Sequence, residues 1–334
     1  MSLIKRIAGL LPARRTLHVH LGPQSLLAVL RQGARIAEGG TLHVGFANPA
    51  GQWQVPLAAL RALLAQPVHA YAADTLPAAG TAADNRGSSG SSSGGTDGSA
   101  GVRGALADRL PMHVSLSGRW CQMLMAPWSD ALLSEAGAAH FLETQFAAIY
   151  GEAARGWTVG SDDAPYGQPR LACGIATELL DALHALAADH GTRCAAIEPL
   201  ASTVCASLAR DKPEAFAIIE PGRITMSALA KGRVAAVQPQ PCSAAWHAEL
   251  AQAWQRWTLR EPGLADIGDI AVVDLSGQPG GLASGQLPGR FRLAASPFGQ
   301  AASAPPAEGA HAGGKLPLSV VPASEPARST REAA

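Results

Sequence analysis

Residues 215–237 read AFAIIEPGRITMSALAKGRVAAV. Three apolar runs, 216–219, 224–230 and 233–238, are separated by Glu220-Pro221-Gly222-Arg223 and by Lys231-Gly232. Short apolar runs broken by Pro-Gly and Lys-Gly pairs predict a three-strand meander with tight turns. A second stretch of this kind lies near the N-terminus, where 17–31 reads LHVHLGPQSLLAVLR. It predicts strands over 17–21 and 25–31 around a turn at Gly22. The segment 33–40, with its Gly39-Gly40 pair read as a turn, leads to a third strand over 41–46. A helix follows each meander. Leu57, Leu60, Leu63 and Leu64 have helical spacing within 55–64, and Trp246, Ala253 and Trp257 share one face of 244–259. The repetition predicts a duplicated α/β layout instead of a simple alternating βαβ sheet.

Between the meanders the pattern predicts strands over 112–116 and 120–125, joined as a hairpin by Ser117-Gly118-Arg119 and ended by Pro127. One long helix is predicted over 129–149, then a strand over 170–175. A helix over 177–190 carries Leu179, Leu180, Leu183 and Leu186 inward, with Gly191 at the C-terminal cap. A strand over 194–198, a helix over 199–209 and a strand over 270–275 complete the set.

Length and composition set limits. The chain has 334 residues, 47% of them hydrophobic and 16% charged, with 26 basic against 26 acidic side chains. Balanced charge, with no basic patch interleaved with aromatics, argues against a nucleic-acid partner. The five cysteines show no CxxC pair, which argues against a disulfide framework or a zinc site and for small thiols in a reducing compartment. No stretch reaches the roughly 18 uninterrupted apolar residues of a membrane span. The start, MSLIKRIAGLLPARR, lacks a signal peptide's long apolar region and cleavage site. Two stretches carry too little apolar area to offset ordering entropy: an insert over 77–108, with RGSSGSSSGGTDGSAG at its centre, and a tail over 296–334. The expected organisation is an extension over 1–16, a body over 17–295 with lobes of about 17–210 and 211–295, and those two disordered segments.

The paired meanders, taken with VSLSGRWCQMLMAPWSDAL (114–132), in which a hairpin runs through a proline-containing segment into a helix, resemble the duplicated actin-like (ribonuclease H-like) fold. Within it they are similar to pilus assembly proteins of the PilM type and to the cytoplasmic part of type II secretion L proteins. The resemblance spans about 17–275 outside the insert. It implies a cytoplasmic adaptor at the inner membrane. The PilM type is soluble and captures a short peptide of a membrane partner, whereas the L type carries its own span. With no span here, the soluble type fits better.

The resemblance also locates a nucleotide site and puts it in doubt. Actin-like ATPases carry D-x-G-x-x-x-x-K at the first turn, the acid helping to hold magnesium and the lysine supplying charge. Here those positions are His20, Gly22 and Leu27, and Pro23 removes a backbone N–H. The second turn keeps a carboxylate at Glu220, with Gly222 and Arg223 beside it, but Pro221 removes another donor. Gly22, Glu220, Gly222 and Arg223 are therefore read as vestiges of a nucleotide site. The expected function is a non-catalytic adaptor without cofactor; the alternative is an ATP- and magnesium-binding ATPase or phosphotransferase. Trp120, Met123, Met125 and Trp128 are the expected partner-binding residues, since methionines and aromatics line peptide grooves; packing is the competing reading.

Three further groups yield structural readings. His18, His20 and His43 are expected to be partly exposed strand histidines, without the extra ligand and carboxylate a metal would need. Asp162 and Asp163 read as a solvated turn. Ser115 and Ser117 lack a G-x-S-x-G elbow.

Overall fold

The computed structural model describes residues 15–33, 35–65, 102, 109–277 and 287–299. The chain's first 14 residues, most of the stretch read as insert and the tail beyond residue 299 lie outside them.

The N-terminal meander is β1 (Arg15–Leu21), β2 (Ser25–Gln32) and β3 (Arg35–Gly45), followed by α1 (Gln54–Ala65) and β4 (Met112–Leu116). β1 pairs antiparallel with β2 and parallel with β4, β2 pairs antiparallel with β3, and β8 (Cys194–Pro199) adds in parallel to β4. The sheet order is β3-β2-β1-β4-β8. The C-terminal half repeats it. β9 (Ala215–Glu220), β10 (Arg223–Ala230) and β11 (Arg233–Pro241) precede α5 (Trp246–Arg260), β12 (Ile270–Asp274) and β13 (Phe291–Leu293). The order β11-β10-β9-β12-β13 has the same parallel and antiparallel sequence. Both central residues of the β10–β11 turn, Lys231 and Gly232, have positive φ, at 54° and 77°, the geometry that matches hairpin twist.

Between β4 and β8 lies a smaller antiparallel sheet, β5-β7-β6, made of β5 (Cys121–Ala126), β6 (Trp157–Ser161) and β7 (Arg170–Ala176). It carries α2 (Glu135–Tyr150) and leads into α3 (Thr177–Asp189), while α4 (Leu200–Ser207) follows β8. Three expectations change here. β4 and β5 do not form a hairpin: β4 stays in the first sheet and β5 pairs with β7. The helix read over 129–149 is broken, with a 3-10 turn at Asp130–Leu133 and α2 starting afresh where the Ser134 hydroxyl caps the Gly137 amide. β3 runs through Gly39 and Gly40, with an irregular register opposite Val29 and Arg31, and the turn lies earlier, around Gly33 at φ 64°.

Period-2 alternation divides the buried side chains into separate cores. Leu17, Val19 and Leu21 of β1, with Met112, Val114 and Leu116 of β4, pack under α1 and α3. Val102, inside the stretch read as insert, is helical and fully buried in this core. In the second half, Ala215, Ala217 and Ile219 pack against Trp246, Leu250, Ala253, Trp254 and Trp257 of α5. The opposite faces meet between the halves: Phe216, Ile218, Ala271 and Val273 pack with Val29, with Leu200 and Val204 of α4, and with Met123 and Leu171 of the small sheet. β9 is therefore buried at every residue, AFAIIE, which explains its unbroken apolar run from Ala215 to Ile219. Leu142 and Phe146 of α2 cover the other face of the small sheet. Phe298 falls in the stretch read as tail, yet it is 4% exposed and joins the core between the halves.

Candidate functional site

Three turns converge where the halves meet. The first follows β1. The Gly22 amide donates to Ser25 O at 2.8 Å. A Cβ on Gly22 would lie 2.9 Å from that oxygen and 3.2 Å from His20 Nε2, so the turn requires glycine. The Asn48 amide locks the next residue by donating to Pro23 O at 2.9 Å. The second turn follows β9, where Glu220 and Arg223 face each other in register across Pro221 and Gly222. Proline followed by a glycine at φ 77° suits a type II turn. The third joins β4 to β5. Its Ser117 amide donates to Leu21 O at 3.1 Å, and Trp120 and Cys121 both donate back to Ser117 O at 3.1 Å.

The third turn is tied to the second across the cleft. The Gly118 amide donates to Glu220 Oε2 at 3.0 Å. The approach is close enough that a Cβ on Gly118 would lie 3.2 Å from that oxygen and 3.3 Å from Thr225 Oγ1. Glu220 and His20 are each 2% exposed. His20 Nδ1–H donates to Ser115 O at 3.1 Å, which leaves the Nε2 lone pair facing Glu220 Oε1 at 3.9 Å. That distance is contact without a hydrogen bond. Phe298 closes the other side of the imidazole, its ring 5.3 Å away and stacked. Burial lowers the His20 pKa to about 4 against the support of the Ser115 carbonyl, so the imidazole is neutral at pH 7. Burial pushes the Glu220 carboxyl up, opposed by the Ser117 hydroxyl, the Gly118 amide and Arg223.

Outside this floor is a cavity of about 300 Å³ lined by Pro23, Arg119, Glu220, Arg223 and Gln240, with Ser117, Pro221, Gly222, Pro239 and Pro241 completing the wall. Of the expected nucleotide residues, Glu220, Gly222 and Arg223 thus share one cavity, and Gly22 lies behind Pro23. Leu27 sits opposite His20 in the β1–β2 register and packs in the core between the halves.

The donor set does not suit magnesium with a nucleotide. Magnesium requires octahedral oxygen ligands. Glu220 is the one carboxylate in the wall; one of its oxygens is engaged by Gly118 and the other faces His20. A neutral imidazole, His20, stands at the position where the resemblance expects an acid, and imidazole suits softer metals. Pro23 and Pro221 lack the N–H groups of a phosphate cradle.

The sequence reading missed Arg119 and Gln240. Arg119 had a signal: Ser117-Gly118-Arg119 repeats the Gly-Arg ending of Pro221-Gly222-Arg223, and both arginines reach the cavity. Gln240 had none, since it arrives through the pairing of β11 with β10, opposite Ile224.

The expected partner-binding residues do not line one groove. Trp120 Nε1–H donates to Gly51 O at 3.1 Å. Met123 and Met125 pack in the core between the halves. Trp128, half-buried, lies 4.6 Å from the exposed Tyr166 ring, with the Arg170 guanidinium 5.9 Å from its centroid. The histidines divide as well. His43 is exposed, His18 stacks on His113 at 4.8 Å, and His20 is buried instead of partly exposed. Asp162 is more than a solvated turn residue, because it pairs with Arg233 at 2.8 Å and bridges the small sheet to the β10–β11 turn. Ser115 Oγ meets Thr203 Oγ1 at 2.5 Å.

Among solved structures, a chain of a PilM–PilN type IV pilus biogenesis complex matches with a TM-score of 0.50 and 11% identity over 86% of this chain and 90% of that one. With its duplicated strand order, the fold is actin-like. The actin-like fold thus accounts for the duplicated sheet order and for the cleft between its halves. The cytoplasmic domain of EpsL, an inner-membrane component of the type II secretion system of Vibrio cholerae, matches at TM-score 0.49 and 10% identity, over 85% of this chain and 92% of that one. A Bacteroides thetaiotaomicron protein with an actin-like ATPase fold and unknown function matches at 0.45 and 8%, over 84% and 87%. No protein-family model and no curated protein matches the chain. Among the described residues, no helix is long and apolar enough to cross a membrane.

Proposed function

We propose that this chain is a non-catalytic adaptor of a pilus- or secretion-type envelope machine, working in the cytoplasm at the inner membrane. It holds a protein partner there and does not turn over ATP. The observation that carries this reading is the cleft floor. A neutral, buried His20, at the position where the resemblance expects a magnesium acid, lies 3.9 Å from a buried Glu220 that already accepts from Gly118. Phosphoryl transfer depends on a placed metal, and the one carboxylate in the cavity wall is already engaged by Gly118, short of the several oxygen ligands magnesium needs. The likeness to a chain of the PilM–PilN complex supports the choice of machine.

The reading is tested by co-purification. The isolated chain should retain the cytoplasmic segment of an inner-membrane pilus or secretion component, to the same extent with ATP and magnesium as with a chelator. Retention that requires ATP and magnesium would contradict it.

A further inference from the structure

The cavity wall contains polar atoms that the protein leaves unsatisfied. Glu220 Oε1, Arg223 Nε and Gln240 Nε2 are buried without a hydrogen-bond partner, and a native fold rarely leaves such atoms orphaned. Glu220 is itself 2% exposed. The guanidinium of Arg223 is fixed on one side by Gln122 Oε1 at 3.4 Å. That of Arg119 is fixed by Gly51 O at 3.2 Å. Two positioned guanidiniums and an amide donor therefore line one cavity with a buried carboxyl.

We infer that the cleft receives the carboxylate of an acidic side chain from a protein partner, without a metal. The inference rests on the adaptor reading and names the chemistry of its partner. Three features select this ligand over a phosphate. Guanidinium forks match a planar carboxylate in bidentate geometry. Pro23, Pro221, Pro239 and Pro241 deprive the wall of the backbone N–H groups that phosphate sites use. Two arginines beside Glu220 balance a single negative charge better than the two of a phosphate. The cavity, about 300 Å³, is at the lower limit of small-ligand sites and suits one side chain with its flanking peptide.

The test follows the arginine Nε–Hε resonances of the full ¹⁵N-labelled chain, in EDTA, during titration with Ac-Gly-Glu-Gly-NH2, with Ac-Gly-Gln-Gly-NH2 and with inorganic phosphate. The Arg223 resonance should move saturably with the glutamate peptide. The glutamine peptide should bind at least about tenfold more weakly, as expected for loss of a charged hydrogen-bond partner, and phosphate more weakly than glutamate. Arg119→Gln, at an exposed position, should keep the spectrum of a folded protein and weaken the glutamate peptide by about tenfold. No saturable shift, equal binding of the two peptides, or tighter binding of phosphate would each overturn the carboxylate assignment. None of these outcomes touches the adaptor reading, which the co-purification decides separately.

Discussion

At the scale of single residues, the cleft floor depends on His20 being neutral. Its pKa lies near 4 in the folded chain and near 6.5 when the chain is unfolded. The folded state therefore binds the proton less well than the unfolded one, and the stabilisation is complete above pH 6.5 and lost as pH falls toward 4. For this fully buried group the loss is about 3 kcal/mol by pH 4. Urea titrations at pH 7 and pH 4.5 should show the fall, and His20→Asn should reduce the slope between them, the remainder including His18, which burial, Arg31 and His113 also lower to about 4. An unchanged slope in the variant would show that another group carries it. The sequence revealed half of this site. The replacement of the expected acid by His20 and of the expected lysine by Leu27 could be read directly, as could both turn glycines. The burial of His20 could not, because Phe298, which stacks on its ring, lies 278 positions further along the chain and β9 brings Glu220 from the other half.

At the scale of elements, both meanders were legible because turn chemistry and period-2 burial are local, although the Gly39-Gly40 pair misplaced the turn before β3. The small sheet was not. Trp120 to Met125 has the pattern of a strand, but nothing local says whether it pairs with β4 or with β7. The Ser117 turn decides it by docking on Leu21 O and sending β5 away from the first sheet. The break before α2 was written in Ser134, whose hydroxyl accepts from the Gly137 amide at 3.2 Å. Ser134→Ala should cost about 1 kcal/mol, the usual loss of an N-cap, measured by denaturant unfolding. Phe146 belongs to the core that joins α2 to the small sheet and is fully buried. Phe146→Ala should cost about 3–5 kcal/mol. Its effect should reach amide exchange in β6 and β7 before β12, since the small sheet has its own core.

At the scale of the whole molecule, duplication was visible as two meanders each followed by a helix, and the sheets share one strand order. The ends of the folded body were less legible, since composition averages over windows and misses single anchors. Val102 and Phe298 both sit in glycine-, alanine- or proline-rich surroundings, yet are 0% and 4% exposed. Residues 86–101 lie outside the described residues; the sequence reading of 77–108 as an insert predicts that deleting them leaves the melting temperature unchanged, since loop length changes closure entropy little. Val102→Ala should lower stability by about 2 kcal/mol, the worth of burying a valine side chain. A large loss on deletion would place a structural role inside the glycine-serine run.

In the proposed function, the actin-like cleft has exchanged nucleotide chemistry for a direct contact between its turns. Calorimetric titration of the folded chain with ATP and magnesium tests this directly. No saturable heat at millimolar ATP, with or without magnesium, is the expected result. A magnesium-dependent heat that saturates, and that disappears in Arg223→Ala, would contradict the claim and return the chain to the nucleotide-binding actin-like proteins.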